Sequence, residues 1–494
     1  MADSTISTKI WTLAGVLNDE GVHTSDYLEQ LTYLLFLKMI DENQKLPEMF
    51  RWKNIELPEE CSWTLLKSKS GKELSDHYSD ILKKLNDKPG MIGEIYRNAQ
   101  SKINEPVKLR KVITMIDAIN WNSKEEDVKG EIYESLLERI AQDTKSGAGQ
   151  YFTPRALINT IIKCVQPQLG KVIADPCCGS GGFLLAAKNY LMTLNPSGTQ
   201  QAFIKYEAFR GNELVPNTYR LCLMNLLLHG IGEFGGVPPI KCQDSLANAP
   251  SGSDLCDYVL TNPPFGKTSS MSIDTDGEKS SESYVRDDFI ASTSNKQLNF
   301  IQHILSMLKV GGCAAVVLPD NVLFEAGAGE TIRKHLLHTC DLHTILRLPT
   351  GLFYAQGVSA NVLFFDKKPT SNAVHTKDVW VYDYRTGVKH TLKQNPLKEA
   401  DLDDFVKCYC AANKSDRKET YDPTNNPNGR WRKFSYTEIK ERDNANLDIK
   451  WIEDDESKLE DVSLSKLLSS MQEQSSKINE SVNKLCEILG KIQD

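Results

Sequence analysis

Asn262, Pro263, Pro264 and Phe265 end the run Asp257-Tyr-Val-Leu-Thr. An apolar strand that stops in an amide, two prolines and an aromatic cannot extend a sheet, because proline lacks the ladder N–H and fixes φ. The amide and a neighbouring backbone carbonyl then stand as rigid acceptors. Two acceptors side by side suit a planar, conjugated amino group with two N–H donors. Holding both hydrogens lets the nitrogen lone pair turn toward an electrophile, and Phe265 offers a face on which the attached ring can stack. A plain strand-ending turn uses the same tripeptide, so Asn-Pro-Pro alone is weak evidence.

It gains weight from Val172-Ile-Ala-Asp175-Pro-Cys-Cys-Gly179-Ser180-Gly181-Gly182-Phe183 upstream. An apolar strand leads into an acid, a glycine-rich turn and a helix. Glycines let backbone approach a ligand closely. The pattern is neither G-x-G-x-x-G nor a phosphate loop with Lys-Ser/Thr. A carboxylate at the strand end, Asp175, favours a positively charged ligand group such as an amino-acid ammonium. Glu213, in Arg210-Gly-Asn-Glu, would follow a second strand, where an acid can accept both ribose hydroxyls. Asp244, in Cys242-Gln-Asp, would follow a third and could reach an adenine amino group. Each acid alone reads as a solvated surface residue. The ordered set Asp175, Glu213, Asp244 and Asn262 is far less common by chance.

These residues need a sheet to hold them. Between residues 149 and about 385, β-branched runs (Lys171–Asp175, Tyr258–Thr261, Cys313–Leu318, Thr344–Leu348, Val358–Phe365) alternate with helical stretches (Pro154–Val165, Gly182–Leu194, Asn217–His229, Leu298–Leu308). Strands separated by helices imply a mainly parallel sheet covered on both faces. Ligands of such sheets sit beyond the carboxyl ends of the strands. Residues 1–148 read as a helical domain, with Tyr27, Leu28, Leu31, Leu34, Leu35 and Met39 forming a broad apolar face. The catalytic domain spans 149–400. Residues 401–450 read as a polar linker and extension, with 411–433 the linker proper. The 267–297 stretch lacks periodicity, as functional or disordered loops do. In 451–494, Leu464, Met471, Ile478, Leu485 and Ile492 recur every seven residues, and Leu468, Val482 and Leu489 take the complementary position, broken at Ser475. That seam predicts a C-terminal coiled-coil or partner helix, or a helix docked on its own domain.

Composition narrows the class. With 25% charged and 40% hydrophobic residues the chain is an ordinary globular protein. No apolar run approaches the ~18 residues needed to cross a bilayer, and the start has no signal-peptide core, so a cytoplasmic, non-membrane protein is expected. The twelve cysteines are expected as reduced thiols. His335, His338, Cys340 and His343 match no metal-site spacing, and no metal is expected. A net charge of −8 gives no global basic excess, so contact with nucleic acid would need a local basic patch or a partner.

The order and spacing of the four motifs resemble S-adenosylmethionine-dependent amino-methyltransferases acting on DNA, and Asn-Pro-Pro-Phe is similar to the N6-adenine enzymes. Gly149-Gln150-Tyr151-Phe152-Thr153-Pro154-Arg155, Met224–Ile231, Phe300–Gly312, Leu318–Phe324 and the lead-in Glu131–Ala141 extend the resemblance to methylation (M) subunits of Type I restriction-modification systems. It covers nearly the whole chain and is weakest from about 385 to 450. Cys177-Cys178 departs from the usual loop. The resemblance implies an α/β, Rossmann-like, seven-stranded methyltransferase sheet behind a helical N-terminal domain. It implies S-adenosyl-L-methionine as cofactor, lined by Gln150, Tyr151, Phe152, Thr153, Pro154, Arg155, Asp175, Gly179, Ser180, Gly181, Gly182, Glu213 and Asp244. Asn262, Pro263, Pro264 and Phe265 would act on a flipped adenine. Double-stranded DNA, a specificity (S) subunit at two M to one S, and a restriction (R) subunit are the implied partners. Three rivals share the site: a glutamine-amide methyltransferase of the release-factor kind, usually Asn-Pro-Pro-Tyr; a cytosine N4 enzyme, usually with Ser in place of Asn262; and a non-catalytic scaffold.

Overall fold

A computed structural model describes residues 24–45, 57–118, 133–134, 153–265, 284, 286–353, 358–392 and 394–452. The heptads of 464–492 lie outside the described residues.

The chain opens with helices α1 (Thr24–Gln44), α2 (Trp63–Ser68), α3 (Gly71–Asn86), α4 (Gly90–Ile95) and α5 (Pro106–Asp117). Leu31, Leu34, Leu35 and Met39 are buried as expected, but so are Tyr33, Phe36, Leu37 and Lys38. From Gln30 to Asn43 helix α1 is enclosed on all sides rather than lying on a surface. The buried Lys38 is matched by Asp117, which also accepts from Trp63 Nε1 (2.9 Å) and Lys67. Burial opposes the Asp117 charge, yet these three donors hold its carboxyl well below the usual range.

Among the described residues, nine strands form one sheet: β1 (Ile173–Asp175), β2 (Phe209–Glu213), β3 (Ile240–Cys242), β4 (Cys256–Thr261), β5 (Leu308–Pro319), β6 (Cys340–Leu348), β7 (Ala360–Lys367), β8 (Asp378–Asp383) and β9 (Trp431–Ser435). Their order is β3-β2-β1-β4-β5-β7-β6-β8-β9. β3 to β5 run parallel in that order, and β7 is antiparallel to both neighbours. Helices α6 (Arg155–Val165), α7 (Gly182–Thr193), α8 (Gly198–Tyr206), α9 (Pro216–Leu228), α10 (Lys296–Met307), α11 (Asn321–Phe324), α12 (Ala328–Thr339), α13 (Asp403–Tyr409) and α14 (Tyr436–Glu441) complete the described α-helices. Side chains alternate across β5: Ala315 and Val317 join the core beneath α6, α7 and α9, while Ala314, Val316 and Leu318 join the core beneath α10 and α12. The chain leaves β1 toward β2 and β3, then returns to β4 on the other side. The crevice at the carboxyl ends of β1 and β4 is therefore the topological switch point, where ligands bind in such sheets.

Two expectations need correction. The expected seven strands match β3 through β6 in the sheet order, and β8 and β9 extend it to nine. β8 comes from the span assigned to the catalytic domain, and β9 from 401–450, which is therefore not a linker alone. β8 adds parallel to β6, and β9 pairs antiparallel with β8. Trp431, fully buried, stacks on Trp380 (centroids 5.1 Å apart). Arg417 lies over the Tyr409 ring and donates to the Tyr409 carbonyl at 2.8 Å. Further on, Arg333 donates to the carbonyls of Val322 (2.9 Å) and Asn444 (2.7 Å), and Arg347 pairs with Asp448 at 2.6 Å. The polar composition belongs to exposed turns between these few anchors.

The N-terminal helices abut the sheet domain through backbone. Met91 and Ile92, in the first turn of α4, donate to the carbonyls of Gly236 and Phe234, both at 3.1 Å. Gly90, at φ +76°, makes that approach possible, since a Cβ there would lie 2.6 Å from the Gly235 carbonyl carbon.

Trp431→Ala should lower stability by about 3–5 kcal/mol, read as a fall in the urea midpoint, with Trp431→Phe far milder. An unchanged midpoint for the alanine variant would mean that residues 401–450 hang free.

Candidate active site

Asp175 ends β1 and Thr261 ends β4, two strands that pair in parallel. The Thr261 hydroxyl donates to Asp175 Oδ1 at 2.6 Å, and the Cys177 backbone N–H donates to the same oxygen at 2.9 Å. Asp175 is only 1% exposed. Burial pushes its carboxyl up to about 7; the two hydrogen bonds work against that rise and the nearby Glu213 adds to it.

The glycine turn is built over this pair. Gly179 and Gly181 have φ of +54° and +85°, where a side chain would be strained. Gly182 lies under Arg155, whose Nη1 would stand 2.8 Å from an added Cβ. Gly179 N–H donates to Glu213 Oε2 at 3.0 Å, and Val215 N–H to Oε1 at 2.8 Å. Burial raises the Glu213 carboxyl while these backbone donors oppose the shift. Asn225, buried in α9, donates to the Ser180 carbonyl at 2.8 Å. The Cys177-Cys178 pair divides in two. Cys178 turns inward, its thiol donating to the Asp175 carbonyl at 3.0 Å, and Cys177 lines the cavity. Gly211 is what admits Cys178: a Cβ there would sit 2.2 Å from its sulfur.

A cavity of about 210 Å³ lies beyond β2 and β3, lined by Glu213, Val215, Asp244, Leu246, Tyr284 and Phe300 among others. A smaller lobe of about 20 Å³ lies beyond β1 and β4, lined by Thr153, Arg155, Asp175, Ser180, Gly182 and Asn262 among others. Cys177 borders both, so one extended ligand could fill the two. Asp244 Oδ1 accepts the Leu246 N–H at 2.9 Å, and Oδ2 accepts the Tyr284 hydroxyl at 2.7 Å.

Asn262 follows β4 directly. Its Nδ2 donates to Thr153 Oγ1 at 2.8 Å, while Oδ1 is buried with no hydrogen-bond partner among the described residues. Such an acceptor is costly to leave unsatisfied in a folded protein, by about 1–3 kcal/mol. The Pro264 carbonyl accepts from Gln297 Nε2 at 2.7 Å. Phe265 meets Phe353 edge-on, centroids 5.5 Å apart.

The structure thus gathers Thr153, Arg155, Asp175, Ser180, Gly182 and Asn262 at one lobe and Glu213 and Asp244 at the other. Gly179 and Gly181 shape the turn between. Pro154 opens α6, its carbonyl accepting from Leu157 and Ile158. Arg155 forms an ion pair with Glu134 at 2.5 Å. Gln150, Tyr151 and Phe152 lie outside the described residues. Sequence reasoning missed Thr261, Asn225, Gly211, Tyr284, Gln297 and Phe353. Asn225 had a signal, a single amide inside an apolar helix. Tyr284 and Gln297 had none, since they fall in the aperiodic 267–297 stretch.

Comparison with known proteins follows the same lines. The family N-6 DNA Methylase matches residues 124–460, and the HsdM N-terminal domain matches residues 6–116. The Type I restriction enzyme StySJI methylase subunit of Salmonella typhimurium strain LT2 is 38% identical over 92% of this chain and 89% of its own length. The EcoKI methylase subunit of Escherichia coli K12 has the same identity and coverage. The crystal structure of the EcoKI M protein superposes with a TM-score of 0.52 at 35% identity, covering 91% of this chain and 90% of that one. A modification subunit assigned to a type I restriction enzyme of Vibrio vulnificus superposes at 0.74 with 25% identity, covering 92% and 98%.

The Asp175 environment predicts a pH signature. Its folded-state pKa lies above the ordinary 3.8, so its contribution to stability is full below about pH 4 and lost as pH rises through about 7. Asp175→Asn keeps both hydrogen bonds without the charge. The melting-temperature advantage of that variant over the ligand-free native protein should grow between pH 5 and pH 8. A constant difference would contradict the burial argument.

Proposed function

The chain belongs to the N-6 DNA methylase family, among the methylase subunits of Type I restriction enzymes, and we propose the following division of work within its site. The protein is an adenine-specific DNA methyltransferase, and S-adenosyl-L-methionine is its methyl donor. The donor set fits that cofactor. A buried, uncompensated carboxylate (Asp175) beside the small lobe suits an ammonium. A second acid (Glu213) at the end of β2 suits the ribose hydroxyls, each oxygen keeping a lone pair beyond its backbone bond. Asp244, steadied by Tyr284, suits the adenine amino group. Gly179 to Gly182 let the turn approach the ligand, and Gln150 to Arg155 are assigned to the lining of its pocket by resemblance to the family. When bound, this cofactor supplies the electrophile, a methyl group on a positively charged sulfur.

The chain's own residues then position the acceptor. Adenine N6 cannot be reached inside a duplex, so the base is flipped into the site. Asn262 Oδ1 and the Pro263 carbonyl accept the two amino hydrogens, and the lone pair turns out of the ring plane. Gln297 holds the Pro264 carbonyl, which fixes the second proline peptide. Phe265, braced by Phe353, stacks on the base. Catalysis is positioning and preorganised polarity. The observation that carries this reading is the orphaned, buried Asn262 Oδ1 at the switch point.

Sequence recognition comes from a separate specificity subunit, with two methylation subunits to one, and a restriction subunit joins the full complex. The 464–492 heptads offer that assembly a helix. A chain working on genomic DNA in this way resides in the cytoplasm.

Asn262→Ala should lower kcat by at least about a hundredfold while cofactor affinity, by calorimetry, changes little. Full turnover in that variant would remove Asn262 from the mechanism. The wider test is a genome-wide map of N6-methyladenine with and without the gene. Loss of the mark at one bipartite motif is expected. An unchanged map with the protein expressed would overturn the proposal.

A further inference from the structure

Resting on that reading, we infer that Thr153 is the positioning residue that fixes which way the Asn262 amide points. The two ends of an amide are almost the same shape, and only the oxygen can accept from an amine. Rotated by half a turn, Asn262 would set its own N–H groups against those of adenine N6. What holds it in the productive direction is one hydrogen bond, Asn262 Nδ2 to Thr153 Oγ1 at 2.8 Å, between residues 109 positions apart.

The bond is well founded. Thr153 is buried and precedes Pro154, which restricts the threonine backbone. Pro154 in turn starts α6, whose Leu157 and Ile161 are locked in the core. The hydroxyl therefore has little freedom of place. It could in principle accept from Nδ2 or donate to Oδ1. An acceptor on the cavity side that takes its hydrogen leaves it only lone pairs for Asn262. Thr153 and Asn262 border the same small lobe as Asp175 and Ser180. The amino-acid end of the cofactor brings a carboxylate, an acceptor of the required kind. Filling that lobe thus commits the amide to presenting its oxygen, so the acceptor for the target base is set by cofactor occupancy.

The test uses the complex with its specificity subunit and a duplex carrying the mapped recognition site. Thr153→Val keeps the shape and removes the hydroxyl; Thr153→Ser keeps the hydroxyl. The valine variant should lose about tenfold to a hundredfold in kcat at saturating cofactor, with cofactor Kd raised by about tenfold and an unchanged melting temperature. Serine should recover most of the loss. With S-adenosylhomocysteine bound, the ratio of Kd values for duplexes bearing purine or adenine at the target position should shrink toward one in the valine variant and persist in the serine variant. Equal discrimination in the native and valine proteins overturns the inference. So does a valine variant whose melting temperature and cofactor affinity collapse together, since that would make Thr153 a structural residue. A native complex that leaves adenine N6 unmethylated overturns the functional reading instead.

Discussion

The hydrogen bond from Thr261 to Asp175 joins the two strand ends on which the site depends. β1 and β4 are neighbours only because the chain reverses its direction of sheet building between them. Their carboxyl ends border the crevice, and a 2.6 Å bond between two buried side chains links them beyond the backbone ladder. The glycine turn leaves from one end and the Asn-Pro-Pro segment from the other. Every contact between the cofactor lobe and the acceptor amide is thus referenced to this pair. The arrangement carries a cost, because burial and the nearby Glu213 push a carboxyl whose hydrogen-bond partners are neutral well above the usual carboxylate range. A protein shaped for stability alone would place an apolar pair there. The retained charge makes sense where a cationic ligand completes the site.

The outer parts of the molecule act on that crevice from both sides. Glu134 reaches Arg155, and Arg155 covers Gly182 in the turn. Arg220 on α9 joins Glu29 on α1 and donates to the Arg97 carbonyl at 3.0 Å. The same helix carries Asn225, which grips the turn at Ser180. Helix α9 therefore links the N-terminal helices to the glycine turn through short, specific contacts. On the far side, Arg385 binds Asp320 and the carbonyl of Leu348, tying the start of the β8–β9 extension to the ends of β5 and β6. The two added strands thereby brace the sheet on the catalytic side.

Much of this was legible in the sequence because the informative patterns are local. Asp175 and Asn262 stand at the ends of short, largely apolar strands, whereas Glu213 and Asp244 follow the more polar β2 and β3 and show by their order along the chain. The glycine turn shows because positive φ leaves few residue choices. What stayed hidden depends on contacts between distant segments. Gly211 looks like an ordinary strand residue until Cys178 is placed beneath it. Thr261 acquires its role only when β1 and β4 are adjacent. The 401–450 segment misled for a related reason: its exposed turns dominate the composition, while its attachment rests on Trp431, Arg417, Tyr409 and Phe405. Burial of a few large side chains outweighs average polarity when they find a preformed edge, here the open side of β6 and then β8.

The charge balance bears on how such a site is used. Holding a duplex through its phosphates requires a basic face, and binding strength follows the number of counterions released. This chain has 58 basic and 66 acidic residues. Base flipping also demands energy to unstack and unpair the target, which must come from contacts elsewhere on the duplex. A catalytic subunit of this composition gains by leaving both the grip and the reading of sequence to another chain. Its own structure is then free to do one thing well: keep an amide, a carbonyl and an aromatic ring in fixed relation to a cofactor pocket. The buried anchors of Asn262 serve that purpose. A site that need not choose among DNA sequences can be rigid, and the specificity of the reaction passes to whichever base the assembled complex delivers.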